Sequence, residues 1–206
     1  LRLYNTIYYK AAWQAEFFGA ATAEDIFTAA DGTEQRADFM HIAIEGSPVR
    51  KGEGYRCASL YLKDGGEMTF YLPDEGVTPE SLLARDGFLT ELTGEYSMAD
   101  VVWSVPRFDV KSSVDLKDIL KALGVTDAFD ENVADFTPLT DSGAVVSSVM
   151  QAARVKIDED GVEAAAYTEI VADTTAAEEP PPVVEMNLNR PFLFVILNDA
   201  NVPLFV

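Results

Sequence analysis

The stretch that decides the fold runs from Asp158 to Pro182 and reads DEDGVEAAAYTEIVADTTAAEEPPP. After Gly161, every second side chain is small or apolar and uncharged. These positions are Val162, Ala164, Ala166, Thr168, Ile170, Ala172 and Thr174. Between Val162 and Thr174, the charged residues fall on the intervening positions. A period of two predicts a strand with one buried face and one solvated face.

The same stretch also has the features of an exposed loop. A glycine stands near its start, three prolines stand at its end, and its middle is rich in Ala, Thr and Glu. A segment with both sets of features is predicted to exist either as a loop or as a strand. The plain alternative is a solvated linker before a C-terminal hairpin, and periodicity alone does not choose between the two.

Four stretches, in order along the chain, resemble the serpin family. The run Glu159–Thr168 (EDGVEAAAYT) resembles the hinge of the serpin reactive-centre loop, E-E-G-T-E-A-A-A-A-T. Asn187–Phe194 (NLNRPFLF) is similar to F-N-A-D-H-P-F-L-F, Asp115–Phe129 to D-L-K-x-x-L-x-x-L-G-M-x-D-A-F, and Asn5–Trp13 to N-A-I-Y-F-K-G-x-W. Together these matches identify the chain as a member of the family.

The resemblance implies an α+β, β-rich fold with a large mixed sheet, smaller antiparallel sheets and few helices. It also implies an exposed reactive-centre loop over about 159–182. A serpin domain is nearly twice as long as this chain of 206 residues. Residues 1–206 are therefore expected to be the C-terminal half of a single domain, whose N-terminal half would be their missing partner.

Local patterns predict the elements outside the loop. Two turn signals, Asp31-Gly32 and Asp64-Gly65-Gly66, predict hairpins between strand-like runs. Thr78-Pro79-Glu80-Ser81 predicts the start of a helix that reaches Gly94, and Asp115 the start of a second helix with Leu116, Ile119, Leu120 and Leu123 inward. Strands are predicted over 1–9, 26–28, 36–44, 55–62, 67–72, 101–110, 145–157, 183–186, 192–197 and 203–206.

The resemblance implies an inhibitor of serine proteases that acts as a suicide substrate. The partner would be a serine protease held in a covalent complex, because the cleaved loop inserts into the main sheet. The alternative within the fold is a non-inhibitory binding, transport or chaperone module. Such proteins tend to carry charged, bulky or proline residues on the inward face, and this chain does not. A third interpretation, an unrelated extracellular β-rich binding domain, requires all four matches to be coincidences.

Site residues follow from the matched motifs. The hinge comprises Glu159, Gly161, Val162, Glu163, Ala164, Ala165, Ala166 and Thr168. Counting from the hinge gives Thr175–Ala176 as the reactive bond, which suits an elastase-like or subtilisin-like protease. Counting back from Pro191 gives Glu178–Glu179, which suits a glutamate-specific protease.

Four residues match structural positions of the family around the loop and the main sheet. Arg107 corresponds to the basic residue that pairs with the hinge glutamate, Glu159. Asn5 corresponds to an asparagine that holds the sheet closed, and Gln151 stands where its histidine partner is usual. Trp13 ends the first matched motif. These residues form the expected structural gate.

Composition excludes several other functions. A formal net charge of −20 disfavours nucleic acid and anionic membranes as partners. No apolar run approaches the roughly 20 residues that span a bilayer. The single histidine, His41, and the single cysteine, Cys57, are interpreted as structural, so neither a catalytic residue nor a metal site is predicted. The expectation is a protein that is not an enzyme, needs no cofactor and is extracellular.

Overall fold

The computed structural model describes residues 1–91, 94–141, 143–162 and 181–206. The chain divides into two compact units. The first contains Leu1–Tyr9 and Asp109–Lys156, and the second contains Lys10–Phe108 and Ile157–Val206.

Strands dominate the described residues, as the α+β prediction requires. In chain order they are β1 (Arg2–Ile7), β2 (Ala11–Ala12), β3 (Ala23–Thr28), β4 (Glu34–Gly52), β5 (Tyr55–Tyr61), β6 (Glu67–Pro73), β7 (Ser97–Pro106), β8 (Phe108–Asp115), β9 (Ser148–Ile157), β10 (Gly161–Val162), β11 (Val183–Asn187), β12 (Leu193–Leu197) and β13 (Pro203–Phe205). The helices are α1 (Pro79–Leu83), α2 (Phe88–Glu91) and α3 (Lys117–Ala122), with 3₁₀ turns at Gly19–Ala21 and Asp127–Phe129.

The first unit is built on a three-stranded sheet in the order β1-β9-β8. Strands β1 and β9 run parallel, and their register pairs Asn5 with Gln151. Exposed apolar side chains, including Leu3, Tyr4 and Val114, project from this sheet. A sheet normally buries such a face against another layer.

The second unit contains an eight-stranded sheet within the described residues. Its order is β11-β7-β4-β5-β6-β12-β13, and β3 pairs with the N-terminal part of β4. The β11–β7 pair is parallel, whereas the other pairs of this sheet are antiparallel. Both predicted hairpins are confirmed, with Gly32 and Gly65 at positive φ of 81° and 90° in their turns.

Aromatic side chains fill the core of the second unit. Tyr55, Tyr71 and Phe88 pack with ring centroids 5.5–5.7 Å apart. Each is essentially inaccessible to solvent, and burying a side chain of this size contributes roughly 1.5–3 kcal/mol. This cluster joins helix α2 to strands β5 and β6.

Helix α1 begins as the sequence predicts. Thr78 and Ser81 form a reciprocal capping box, in which each backbone N–H donates to the other side chain at 3.1–3.2 Å. The prediction of one helix up to Gly94 was wrong, because α1 ends at Leu83 and a turn containing Gly87 (φ 81°) separates it from α2.

Two strand boundaries and the burial of one helix also differ from the sequence-based prediction. The strand predicted over 101–110 is two strands, separated at Arg107, and β4 continues past the predicted end at Ile44 to Gly52. Helix α3 buries its apolar side only in part: Leu116 and Leu120 are half-buried, whereas Ile119 and Leu123 are 51% and 76% exposed.

Candidate functional site

The base of the predicted loop pairs with a short strand. Gly161 and Val162 of β10 lie antiparallel to Ala12 and Ala11 of β2. Gly161 has φ 125°, and a Cβ added to it would lie 2.5 Å from the Ala12 Cα. Other residues rarely adopt that backbone conformation, and an added Cβ would collide with the neighbouring strand. This hinge position therefore requires glycine.

Trp13 holds the residue before the hinge glutamate. Its indole Nε1 donates a hydrogen bond to the backbone carbonyl of Asp158 at 2.8 Å. The ring is fully buried, packs edge-on against Phe17 at 6.0 Å, and its backbone bridges to Leu62. An indole fixed on this many sides is a rigid anchor for the start of the loop.

Glu159 is bound by two side chains from different parts of the second unit. Arg107 donates from Nε to Oε2 at 2.9 Å and from Nη2 to Oε1, which is a bidentate ion pair. The Thr22 hydroxyl donates to the same Oε1 atom. We call Trp13, Thr22, Arg107, Asp158 and Glu159 the hinge latch.

The protonation state of the latch follows from these contacts. Burial opposes ionisation of Glu159, but the hydrogen bonds from Arg107 and Thr22 outweigh it and lower the pKa of its carboxyl below the ordinary 4.5. The hydrogen bond with Glu159 in turn raises the pKa of Arg107. The ion pair is therefore fully charged at neutral pH.

Sequence reasoning predicted the Glu159–Arg107 pair but missed two of its neighbours. Thr22 was not identified, and neither was Asp38, which accepts a hydrogen bond from Arg107 Nη1 at 3.2 Å. The hairpin centred on Asp31-Gly32 could have placed these two residues near each other, but it could not have placed either one near Glu159. Its register brings Asp38 opposite Glu24, two residues beyond Thr22.

Asn5 and Gln151 are described within the first unit. They are register partners on β1 and β9. Among the described contacts, no hydrogen bond joins their side chains, and their role in holding the sheet closed stays a prediction.

Other sequence-derived site residues lie outside the described residues. They are Glu163, Ala164, Ala165, Ala166 and Thr168 of the hinge, and Thr175, Ala176, Glu178 and Glu179 of the two candidate bonds. Of Val162, only the backbone is described.

The single histidine and the single cysteine both lie in the second unit. His41 lies half-buried on β4 opposite Ser104. Cys57 is 1% exposed, and burial raises the pKa of its thiol to about 11. At neutral pH the thiol is therefore protonated and a poor nucleophile.

Two further features are absent from the part of the chain that is described. No group of three His, Cys, Asp or Glu side chains there could hold a metal ion. No helix there is long and apolar enough to cross a membrane.

A β-rich fold with a loop base tied down by an indole and an ion pair defines a structural class, and comparison with known proteins names it. The family model for serpin (serine protease inhibitor) matches residues 1–206. The chain therefore belongs to the serpin family.

Individual relatives agree with the family match. The chain is 32% identical to Serpin-Z1B of Triticum aestivum, over 98% of its own length and 53% of the relative's. It is 33% identical to Iripin-5 of Ixodes ricinus, over 96% of its own length and 51% of the relative's. The chain thus spans about half the length of these curated relatives.

Solved structures show the same fold. The thermophilic serpin tengpin in its native state matches with a TM-score of 0.81 and 28% identity, over 98% of this chain and 53% of that one. Human thyroxine-binding globulin in complex with its hormone matches with a TM-score of 0.79 and 25% identity, again over 98% and 53%. The fold prediction is confirmed.

Proposed function

We propose that this protein inhibits serine proteases as a suicide substrate, with no cofactor. The observation that carries the proposal is the hinge. Its first residues are anchored by the latch and paired as a strand, and its inward face carries no charge from Val162 to Thr174. A segment that must enter a sheet needs such a face, because burying an unpaired charge is costly.

The chemistry belongs to the protease. Its serine hydroxyl adds to the carbonyl carbon of the scissile bond, and the amine on the far side of that bond leaves with the proton. An ester then links the loop to the enzyme, and water would normally hydrolyse it. In the proposed mechanism the freed loop inserts first and carries the protease away, so that its active site is distorted before hydrolysis.

The β10–β2 pairing supplies a register for the insertion. In the proposed inserted state, the same register continued one residue back for each residue forward would set Ala164 opposite Tyr9, Ala166 opposite Ile7 and Thr168 opposite Asn5. The intervening Ala165 would face Tyr8. Ile7 and Tyr9 are half-buried whereas Tyr8 is exposed, so Ala164 and Ala166 would meet more buried positions than Ala165 would.

The inserted length favours Thr175–Ala176 as the reactive bond. Sixteen residues from the hinge glutamate would span roughly 50 Å as a strand, enough to move the protease across a domain. Small residues on both sides suit the shallow pocket of an elastase-like or subtilisin-like protease. Cleavage at Glu178–Glu179 is the alternative, with a glutamate-specific protease as the target.

The domain that contains this activity and its location are also part of the proposal. We place residues 1–206 as the C-terminal half of one serpin domain, with its reactive-centre loop over about 159–182. The N-terminal half would supply the remainder of the core. The proposed location is extracellular, where secreted proteases are the natural targets.

The test is to incubate the full-length protein with pancreatic elastase and with subtilisin. An inhibitor gives a complex with the protease that survives a denaturing gel, and mass spectrometry of the released peptide identifies the bond that was cut. Rapid cleavage in the loop with no stable complex from either enzyme, or from a glutamate-specific protease, would reject the proposal.

A non-inhibitory binding module is the second candidate. Its support is the likeness to thyroxine-binding globulin, whose structure contains a bound hormone. The two candidates differ in the nicked state: loop insertion raises the thermal transition of the cleaved protein well above that of the intact one. A nicked protein that unfolds at the same temperature as the intact protein would favour the binding module.

A further inference from the structure

A cleft of about 680 Å³ lies in the second unit, away from the hinge latch. Three loops form it: the turn after β3, the connection between β6 and α1, and the connection between β11 and β12. Its volume falls in the range of small-molecule pockets in proteins. Nothing in the proposed inhibitory mechanism uses this cleft.

Two arginines from different elements line the cleft. Arg56 lies on β5, and Arg190 lies in the connection before β12. Arg190 Nη2 donates to the backbone carbonyl of Pro73 at 2.9 Å, which fixes its guanidinium in the wall. Neither arginine forms an ion pair with any carboxylate among the described residues.

The charges of the two arginines that line the cleft influence each other. Burial and, next to it, the charge of Arg56 lower the pKa of Arg190 below its ordinary value. Asp74 and Glu75 also line the cleft and act in the opposite direction, but their effect does not outweigh that of the two larger causes.

We propose that this cleft binds the oxyanion group of a small anionic solute between Arg56 and Arg190. A guanidinium presents a rigid fork of N–H donors that matches the oxygens of carboxylate and phosphate alike. An anion between the two forks removes their mutual repulsion. The remaining wall, with Asn189, Thr28 and Pro191, offers polar and apolar contacts to the rest of such a solute.

The test is isothermal titration calorimetry of the full-length protein at constant ionic strength, with inorganic phosphate and with succinate as separate probes. Constant ionic strength matters because added salt screens the charges of an acidic protein regardless of any site. We expect one saturable site for at least one probe. A preference for phosphate or for succinate distinguishes the two kinds of oxyanion.

Variants assign the binding to the cleft. Arg56→Gln is expected to weaken binding at least tenfold, and Asp74→Asn is expected to strengthen it because a repelling carboxylate is removed. Arg36→Gln is the matched control, since Arg36 is exposed on β4 and pairs with Glu24 outside the cleft. If binding depended only on the net charge of the molecule, Arg36→Gln would weaken it as much as Arg56→Gln does.

The outcomes separate this proposal from the inhibitory function. No saturable binding of either probe, or equal loss in Arg56→Gln and Arg36→Gln, would overturn the anion site and would leave protease inhibition untouched. Each variant is first shown to unfold cooperatively near the parent temperature. A loss of binding can then not be attributed to a destabilised fold.

Discussion

At the scale of single residues, the hinge latch depends on one position without a side chain. Gly161→Ala would bring a Cβ within 2.6 Å of the Ala11 carbonyl and of the Trp13 amide, at a φ that alanine rarely adopts. We expect a destabilisation of about 1–3 kcal/mol, the usual cost of such backbone strain. Thermal and denaturant unfolding of the full-length protein measure it.

Gly19→Ala is the control for this substitution. No heavy atom lies within 4 Å of the Cβ that Gly19 would gain, and its φ is not in the left-handed region. Its stability is expected to stay near that of the parent. Equal stability of the two variants would mean that the pairing of β10 with β2 does not constrain Gly161.

The Glu159–Arg107 pair makes a pH-dependent contribution to stability. The folded pKa of Glu159 lies below its unfolded value, so the pair stabilises the fold fully above the ordinary pKa of 4.5 and loses this effect as pH falls through the folded value. Arg107 is partly exposed, so solvent screening limits the coupling to about 1 kcal/mol at neutral pH.

A double-mutant cycle with Glu159→Gln and Arg107→Gln measures that coupling at pH 7 and again below pH 4. We expect the coupling free energy to shrink toward zero in acid. Arg36→Gln with Glu24→Gln is a suitable reference cycle, because that pair is exposed on both sides. A coupling at pH 7 no larger than in the reference pair would contradict a structural role for the latch.

At the scale of elements, the inward and outward faces of the hinge should respond differently to the same charge. Ala164→Arg would bury an unpaired guanidinium in the inserted strand, whereas Ala165→Arg would leave it in solvent. We expect the first variant to be cleaved as a substrate without a stable complex, and the second to remain an inhibitor. The stoichiometry of inhibition against the most responsive protease reports both.

The two variants control for each other because the substituted positions are adjacent. Both variants have the same loop length, the same cleavable loop and the same overall charge. Full inhibition by Ala164→Arg would remove the basis for assigning an inward face. Loss of inhibition by both variants would instead indicate that the loop tolerates no bulk on either face.

Features defined by local chemistry were predictable from residue patterns, whereas those defined by distant contacts were not, apart from the Glu159–Arg107 pair that the family resemblance implied. The capping box at Thr78 and the turn at Asp31-Gly32 use residues that are adjacent in the chain, and both were found. The extension of β4 to Gly52 depends on pairing with β5 and β7, which no local pattern reveals. Thr22 was missed for the same reason, because its partner Glu159 is 137 residues away.

At the scale of the whole molecule, the exposed apolar side chains of the first unit predict how the isolated chain behaves. Leu3, Val110, Val114 and Leu123 are all exposed, on a sheet and a helix that normally bury such residues. Expressed alone, residues 1–206 are expected to aggregate or to bind a hydrophobic dye strongly. Size-exclusion chromatography with dye binding tests this, and a sharp, cooperative thermal transition of a monomer would contradict it.

The hydrogen bond between the Trp13 indole and the Asp158 carbonyl makes the fluorescence of Trp13 sensitive to the position of the loop base. Trp13 and Trp103 are the two tryptophans of residues 1–206, and among the described residues only Trp13 contacts the start of the hinge. Any movement of the loop base that breaks this bond changes the polarity around the indole and hence its fluorescence emission. The time course of the rearrangement can therefore be followed by stopped-flow mixing with an unlabelled protease that lacks tryptophan.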